Sequence, residues 1–292
     1  MAEEKIPKID VSKIKNMQAI KEMEPEVAKV LKKNFKQKDN KFKFTEPERI
    51  QLPSKGRLYA GITTDEDILN GFIFMYPMTA KEEEIITTPR FVRTGVATRM
   101  VLDNCIASDI SAKDLLAFDS NFLLYYLRQI SYGDEYKFGV KCTNCGKQFR
   151  HTVNISELAF EELDENITEP LIINLPKSKY SIELVIPRVF HSEIIYQQKN
   201  NSKKDDEEDE GSKLLSRVKV TTLCIKDQNG LEIPKKDWND FYSAIPAMDR
   251  AEISEHTVID TGIDELKRVE CPHCGDEMDL LIPMGIEFFR LG

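Results

Sequence analysis

The pattern of apolar and polar residues along the chain predicts helices interleaved with short β-hairpins. Apolar residues recur at helical spacing in several segments, some of which begin at a capping residue or end at Gly or Pro. The predicted helices span residues 81–87, 94–107, 119–132, 189–199, 214–224, 236–244 and 245–256. Short apolar or alternating runs predict a strand at 72–76 and hairpins at 136–151, 171–186 and 269–283. This mixture predicts an α+β fold with a helical core and β-hairpins.

The segment 119–132 is the predicted central helix of the core. Its run at 122–127 is apolar on nearly every side, and such a helix is normally buried against several neighbours. Gly133 follows the segment and ends it. Thr79 and Glu82 have the spacing of a capping box, which predicts the start of the helix at 81–87. We therefore expect the body to be built around 119–132.

Charge divides the chain into an arm and a body. Residues 1–44 contain twelve lysines and seven acidic residues, whereas the whole chain carries a net charge of −9. We expect 1–44 to form a basic N-terminal arm and 45–292 to form an α+β body. Six consecutive acidic residues at 205–210 repel one another, which predicts a mobile acidic loop at 201–212.

Composition limits the classes to which the chain can belong. Its 292 residues, 41% of them hydrophobic, are enough to bury a core. No apolar run reaches the roughly 18 residues of a membrane span, and the charged start lacks the apolar region of a secretory signal. The net negative charge argues against a general nucleic-acid coat, because phosphate binding depends on Lys and Arg. The sequence therefore predicts a soluble protein made in a cytoplasm.

Four of the six cysteines form two CxxC pairs, and a glycine follows each pair. Two residues between the cysteines allow a tight turn to aim both thiolates at one ion, while the glycine relieves backbone strain. In a reducing compartment such pairs favour a metal over a disulfide. We therefore predict that one Zn²⁺ ion is bound by Cys142, Cys145, Cys271 and Cys274.

The predicted zinc site is structural rather than catalytic. Four thiolates complete the tetrahedral coordination of zinc and leave no position for water or substrate. The two pairs are separated by 125 residues, whereas a compact zinc ribbon has about 15–20. The sequence thus predicts a split zinc ribbon whose knuckles, at 136–151 and 269–283, join the two ends of a subdomain.

Two other interpretations of the cysteine pairs stay open from the sequence. A redox enzyme would use a CxxC dithiol at a helix N-terminus, whereas both pairs here lie between predicted strands. A zinc-ribbon nucleic-acid-binding or transcription-related protein would need a basic surface, and charges of both signs lie near the knuckles. His151 and His273 lie nearby, but four cysteines already fill the site. No catalytic motif is present elsewhere, so we predict that the protein is not an enzyme.

Several short motifs, taken in order, resemble the zinc-ribbon baseplate proteins of T4-type contractile-tailed bacteriophages, which include baseplate hub and hub-assembly proteins. The motifs are Leu52-Pro53-Ser54-Lys55-Gly56 with Leu58-Tyr59, Met78-Thr79-Ala80-Lys81-Glu82-Glu83-Glu84, Tyr132-Gly133-Asp134-Glu135-Tyr136, the two cysteine pairs and Phe288-Phe289-Arg290. The resemblance covers residues 45–190 and, more loosely, 245–292. It supports the four cysteines as metal ligands.

The resemblance implies a non-enzymatic structural or assembly role in the baseplate, exercised through contacts with other baseplate or tail proteins. No small-molecule substrate, nucleic acid or membrane insertion is expected. The protein is expected in the host cytoplasm during assembly and in the tail baseplate of the virion, although the resemblance leaves open whether it stays there. The apolar residues of 284–289 are expected either to pack on a neighbouring protein or to fold back on the protein's own core.

Overall fold

The computed structural model describes residues 45–93, 95–201 and 210–290. The predicted basic arm at 1–44 and residues 202–209 of the predicted acidic loop lie outside these ranges. Residue 201 and residues 210–212, at the two ends of that predicted loop, belong to helices. The α+β fold class is confirmed, because helices alternate with small antiparallel sheets.

The α-helices, in chain order, are α1 (Glu66–Leu69), α2 (Ala80–Thr87), α3 (Pro89–Arg93), α4 (Ala97–Cys105), α5 (Ala117–Tyr132), α6 (Val189–Asn201), α7 (Glu210–Thr221), α8 (Trp238–Ala244) and α9 (Ala247–Thr257). The strands are β1 (Glu48–Gln51), β2 (Phe72–Met75), β3 (Glu135–Lys141), β4 (Gln148–Asn154), β5 (Phe160–Glu161), β6 (Leu171–Asn174), β7 (Ser181–Leu184), β8 (Thr222–Lys226), β9 (Gly262–Ile263), β10 (Leu266–Glu270) and β11 (Glu277–Leu281). Strands β6, β7 and β8 form a three-stranded sheet, and the other strands pair as β1–β2, β3–β4, β5–β9 and β10–β11.

Two predicted helices differ from the structure. The helix predicted at 214–224 ends at Thr221, because residues 222–226 form β8 and pair with β7. In that strand Ile225 is fully buried opposite Ile182, so burial in the sheet outweighs the helical pattern. The helix predicted at 94–107 begins only at Ala97, since Gly95 has a φ of +71° that an α-helix cannot contain.

Helix α5 is the centre of the larger hydrophobic core, as predicted. Its aromatic and aliphatic residues from Phe122 to Leu127 are all buried. Residues of β1–β2, α4, the β3–β4 hairpin and the end of the chain pack around it. Helix α2 begins at the predicted capping box, in which the N–H and hydroxyl of Thr79 both donate to the buried carboxylate of Glu82.

The motif at 52–59 folds around a carboxylate of α5. Asp119 is fully buried and accepts hydrogen bonds from the Ser54 N–H at 3.0 Å and the Tyr59 hydroxyl at 2.8 Å. The Tyr59 oxygen accepts in turn from the N–H of Leu116 at 3.0 Å. Burial raises the pKa of Asp119 to about 6. The motif is therefore explained by structure, since it satisfies the polar groups of a buried carboxyl.

Arg57, in the same motif, secures a distant loop. Its guanidinium donates to four backbone carbonyl oxygens at 2.5–3.3 Å. These carbonyls belong to Leu163, Asp164, Glu165 and Ile167. A single side chain thereby fixes the path of the chain after β5, because the planar guanidinium offers several donors in a fixed geometry.

A second, smaller core is built on the β6–β7–β8 sheet. Ile173, Ile182 and Ile225 lie opposite one another across the three strands and are buried. Val218 of α7 and Tyr242 of α8 pack with them, together with α9. The described residues thus contain two hydrophobic clusters. Within those ranges no helix is both long and apolar enough to cross a membrane.

The end of the chain folds back on the larger core. Phe288 and Phe289 are buried, and the ring of Phe288 lies edge-on to Tyr125 at 5.0 Å and to Tyr136 at 4.9 Å. Ile286, in the same turn, stays 38% exposed. Of the two alternatives for 284–289, the structure therefore places both phenylalanines in the protein's own core.

Candidate metal centre

Two β-hairpins present the cysteine pairs to each other. The first pair lies in the connection between β3 and β4, and the second in the connection between β10 and β11. Both hairpins were predicted from sequence. Tyr136, Phe138 and Val140 alternate along β3 and bury one face of the first hairpin on the main core, while Met278 of β11 does so for the second hairpin. This alternation fixes the face of each hairpin that points inward.

One hydrogen bond not anticipated from the sequence aligns the two hairpins. The hydroxyl of Tyr136 donates to the carbonyl oxygen of Pro283 at 2.9 Å, so the start of β3 is attached to the residues after β11. Near the cysteines, the ring of His273 approaches the carbonyl oxygen of Gln148, with Nε2 at 3.4 Å. Tyr136 belongs to the motif Tyr132-Gly133-Asp134-Glu135-Tyr136. That motif is the sequence signal that could have indicated its role in aligning the hairpins.

The two knuckles have the same backbone geometry. In the first, the N–H of Gly146 donates to the carbonyl of Cys142 at 3.0 Å. In the second, the N–H of Gly275 donates to the carbonyl of Cys271 at 2.9 Å. The glycines have φ values of +70° and +74°, a region that residues with a Cβ seldom adopt. The glycine after each pair is thus required by the turn.

The four sulfur atoms converge on one point. Cys142 Sγ lies 3.7 Å from Cys274 Sγ, and Cys145 Sγ lies 3.8 Å from Cys271 Sγ. All four lie within 4.8 Å of one another. A tetrahedral ion with bonds of about 2.3 Å to sulfur requires sulfur atoms about 3.8 Å apart. The cluster therefore has the dimensions of a tetrahedral metal site, and it joins hairpins separated by 125 residues of sequence.

The electrostatics of the cluster favour a cation. The backbone N–H of Cys145, 3.4 Å from Cys142 Sγ, lowers the pKa of Cys142 to about 7. The pKa of Cys274 is raised to about 12: the N–H of Asp276 acts to lower it, but desolvation and the neighbouring thiols outweigh that effect. When sulfur atoms lie this close, a negative charge on one thiolate makes ionisation of the neighbouring thiols less favourable. A bound cation would allow all four to ionise, because it compensates the charge that they share.

Each knuckle supplies one buried and one exposed cysteine. Cys142 and Cys271 are buried, whereas Cys145 and Cys274 are exposed. Soft thiolates arranged tetrahedrally suit zinc or an iron–sulfur centre rather than the hard cations magnesium and calcium. The site can therefore hold one soft metal ion with no coordination position left for a substrate.

The surroundings of the cluster carry charges of both signs. Arg268 of β10 pairs with Asp279 of β11 at 3.2 Å on the exposed side of the hairpin. His151 packs edge-on to Phe138, with ring centroids 6.0 Å apart, and neither it nor His273 belongs to the group of potential ligands. The remaining cysteines, Cys105 and Cys224, are also absent from that group.

Comparison with known proteins gives one match. The model of a family described as T4 bacteriophage base plate protein matches residues 60–290, well over half of the chain. No curated protein and no solved structure matches the chain. The match confirms the resemblance inferred from the motifs and extends it to 191–244, although it begins just after the motif at 52–59. Both cysteine pairs lie within it.

Proposed function

Because this chain belongs to the T4 bacteriophage base plate protein family, we propose that it is a non-enzymatic structural or assembly protein of the hub region of the contractile-tail baseplate. It acts through contacts with other baseplate or tail proteins. It is made in the host cytoplasm and acts at the tail baseplate, either as a fixed component of the virion or only during assembly. A structural Zn²⁺ ion held by the four cysteines stabilises it.

The observation that carries the proposal is the family match together with the cysteine cluster inside the matched region. A closed set of four thiolates supports folding rather than chemistry, since zinc has no free position there. Zinc is the expected ion because it takes four thiolates tetrahedrally and needs no redox partner. Structural zinc contributes directly to the free energy of folding.

The role of the cluster in this proposal is to hold two hairpins together rather than to form a catalytic pocket. The cluster joins β3–β4 to β10–β11, and the residues after β11 complete the core beside Tyr125 and Tyr136. Closing a long loop costs free energy that grows only with the logarithm of its length. One ion can therefore hold the two ends of a large segment together, which suits a component that must keep its shape while partners assemble on it.

Metal analysis tests the zinc site. Purified full-length protein is expected to contain one zinc per chain by inductively coupled plasma mass spectrometry. Replacing both Cys271 and Cys274 by Ser should remove that zinc, because two thiolates no longer complete the site. The matched control is Cys224→Ser, which removes a half-buried thiol outside the cluster. Wild-type protein purified under reducing conditions with no bound zinc would contradict the proposal.

A deletion in the phage genome tests the assembly role. Without the gene, infected cells are expected to accumulate incomplete baseplates in electron micrographs, and the wild-type gene supplied in trans should restore them. Normal baseplates in the deletion mutant would refute the role. Mass spectrometry of purified virions then separates a fixed component, present at constant copy number, from an assembly factor, which would be absent.

A further inference from the structure

A groove lies between the two hydrophobic cores. Its volume is about 800 Å³, and it is lined by the first turn of α5, by β7 and the segment after it, and by α6, α7 and α9. The lining is mostly apolar, with Ile195, Leu214 and Val258 among its residues. Val258 is 66% exposed. Large apolar groups left accessible in a concave surface mark sites that bind another molecule.

The charged residues of this groove are all basic. Arg217 of α7 and Arg250 of α9 both line it and are exposed, and no carboxylate is found among its lining residues in the described ranges. Neither arginine forms an ion pair with a residue in those ranges. His191 is buried at one wall and accepts from the N–H of Arg188. In a chain with 50 acidic and 41 basic residues, this is a local reversal of charge.

We propose that this groove is a docking site for another baseplate protein, and that it receives a segment whose apolar residues are flanked by carboxylates. The inference rests on the proposed function, because it names the chemistry of one partner contact. The apolar residues of that segment fill the groove, and its carboxylates pair with Arg217 and Arg250 at the rim. Arginine suits this role since its guanidinium binds carboxylates with two parallel hydrogen bonds.

Charge argues against two other occupants, the protein's own residues 1–44 and a nucleic acid. The protein's own residues 1–44 carry a net charge of +5, and Arg217 and Arg250 would repel them. A nucleic acid would not cover an apolar floor in a protein with a net charge of −9. An apolar segment bearing carboxylates can both cover the apolar floor of the groove and pair with the two arginines at its rim.

Cross-linking identifies the occupant. A photoreactive benzoylphenylalanine in place of Ala251, an exposed lining residue of α9, is introduced into the full-length protein in phage-infected cells. The expected product is a covalent adduct with one baseplate protein, at a segment containing apolar residues and Asp or Glu. The same group at Arg150, exposed and outside the groove, provides the background. Adducts with residues 1–44, with lipid or with nothing above background would overturn the proposal.

Two variants test the groove in assembly. Ala251→Trp fills it, and Arg217→Glu with Arg250→Glu reverses its charge. Either should lower the yield of complete baseplates at least tenfold in the complementation assay, while zinc content and thermal unfolding stay at the wild-type level. The control is Arg150→Glu with Lys236→Glu, which makes the same change of charge at exposed positions outside the groove.

The outcomes separate this inference from the function on which it rests. If deletion of the gene leaves baseplates intact, the assembly role itself is wrong. If deletion prevents assembly but folded Trp and charge-reversal variants restore it fully, the role stands and the groove is not the docking site. If Ala251→Trp fails to fold, the charge reversal decides alone, because both arginines are exposed.

Discussion

The buried carboxyl of Asp119 should make the stability of this protein depend on pH in a direction that is easily measured. Asp119 lies in the first turn of α5 and accepts hydrogen bonds from the Ser54 N–H and the Tyr59 hydroxyl. Its pKa is raised to about 6 by burial. The perturbation is Asp119→Asn, which keeps the size and an acceptor oxygen for Ser54 but cannot ionise.

The folded state binds the proton of Asp119 more tightly than the unfolded state does, and this difference sets the direction in which stability changes with pH. Stability is greatest when Asp119 is protonated, and it falls as pH rises from the ordinary pKa of 3.8 through about 6. The full effect of this shift is about 3 kcal/mol. Between pH 7.5 and pH 5, acidification should return roughly half of it, about 1.5 kcal/mol, to the wild-type protein.

The shifted pKa of His191 makes stability depend on pH in the opposite direction. Burial, followed by the charge of Arg188, lowers the pKa of His191 from 6.5 to about 4. The stability that neutral His191 contributes is therefore lost as pH falls below its unfolded pKa, by about 2 kcal/mol between pH 7.5 and pH 5. In the wild-type protein these two effects largely cancel. In Asp119→Asn only the His191 effect is left, so this variant should become sensitive to acid.

Urea unfolding followed by far-UV circular dichroism at pH 5 and pH 7.5 measures both proteins. The difference in unfolding free energy between wild type and Asp119→Asn should move by about 1.5 kcal/mol in favour of wild type on acidification. Any loss of metal at pH 5 cancels in this difference, since both proteins share the cysteine cluster. Asp260→Asn, at an exposed loop position, is the control. An equal pH dependence of wild type and Asp119→Asn would refute the assignment of a raised pKa.

Three further predictions concern stability and are measured by the same unfolding assay. Phe288→Ala should cost about 3–5 kcal/mol because the ring is fully buried, whereas Ile286→Ala, at a partly exposed position, should cost under about 1 kcal/mol; equal losses would contradict the packing of the chain end. Gly56→Ala should cost more than about 1 kcal/mol, since its φ is +75° and a Cβ would lie 2.2 Å from the Ile68 oxygen, while Gly285→Ala, with open space around it, should be nearly neutral. Arg57→Gln should cost about 1–3 kcal/mol by leaving loop carbonyls without donors, and the exposed Arg150→Gln should cost almost nothing.

Local signals explain what could be predicted from the sequence. The ligand spacing and trailing glycine of each cysteine pair are contained in five residues, so both knuckles were identifiable without knowledge of the fold. The uniformly apolar run in α5 likewise predicted the central helix. Pairing of the two knuckles followed from ligand number alone, because zinc requires four thiolates and each knuckle supplies two.

Features that depend on distant partners could not be predicted in this way. The pattern places the first three residues of β8, 222–224, in a helix, since they continue the pattern of α7 and only the pairing with β7 distinguishes them. The groove was missed for the same reason: Phe118, Arg217 and Arg250 lie on three different helices. Amphipathic spacing predicts which face of a helix is apolar but not which part of that face remains uncovered.

The distance along the chain between the two knuckles has a consequence during synthesis. At roughly 5–20 residues per second on the ribosome, the 125 intervening residues separate emergence of the early thiols from emergence of the late ones by about 6–25 seconds. Throughout that interval the nascent polypeptide has only half of its ligand set. A product cut short before Cys271 can therefore never complete the cluster, so metal retention distinguishes chains that include the second knuckle from truncated ones.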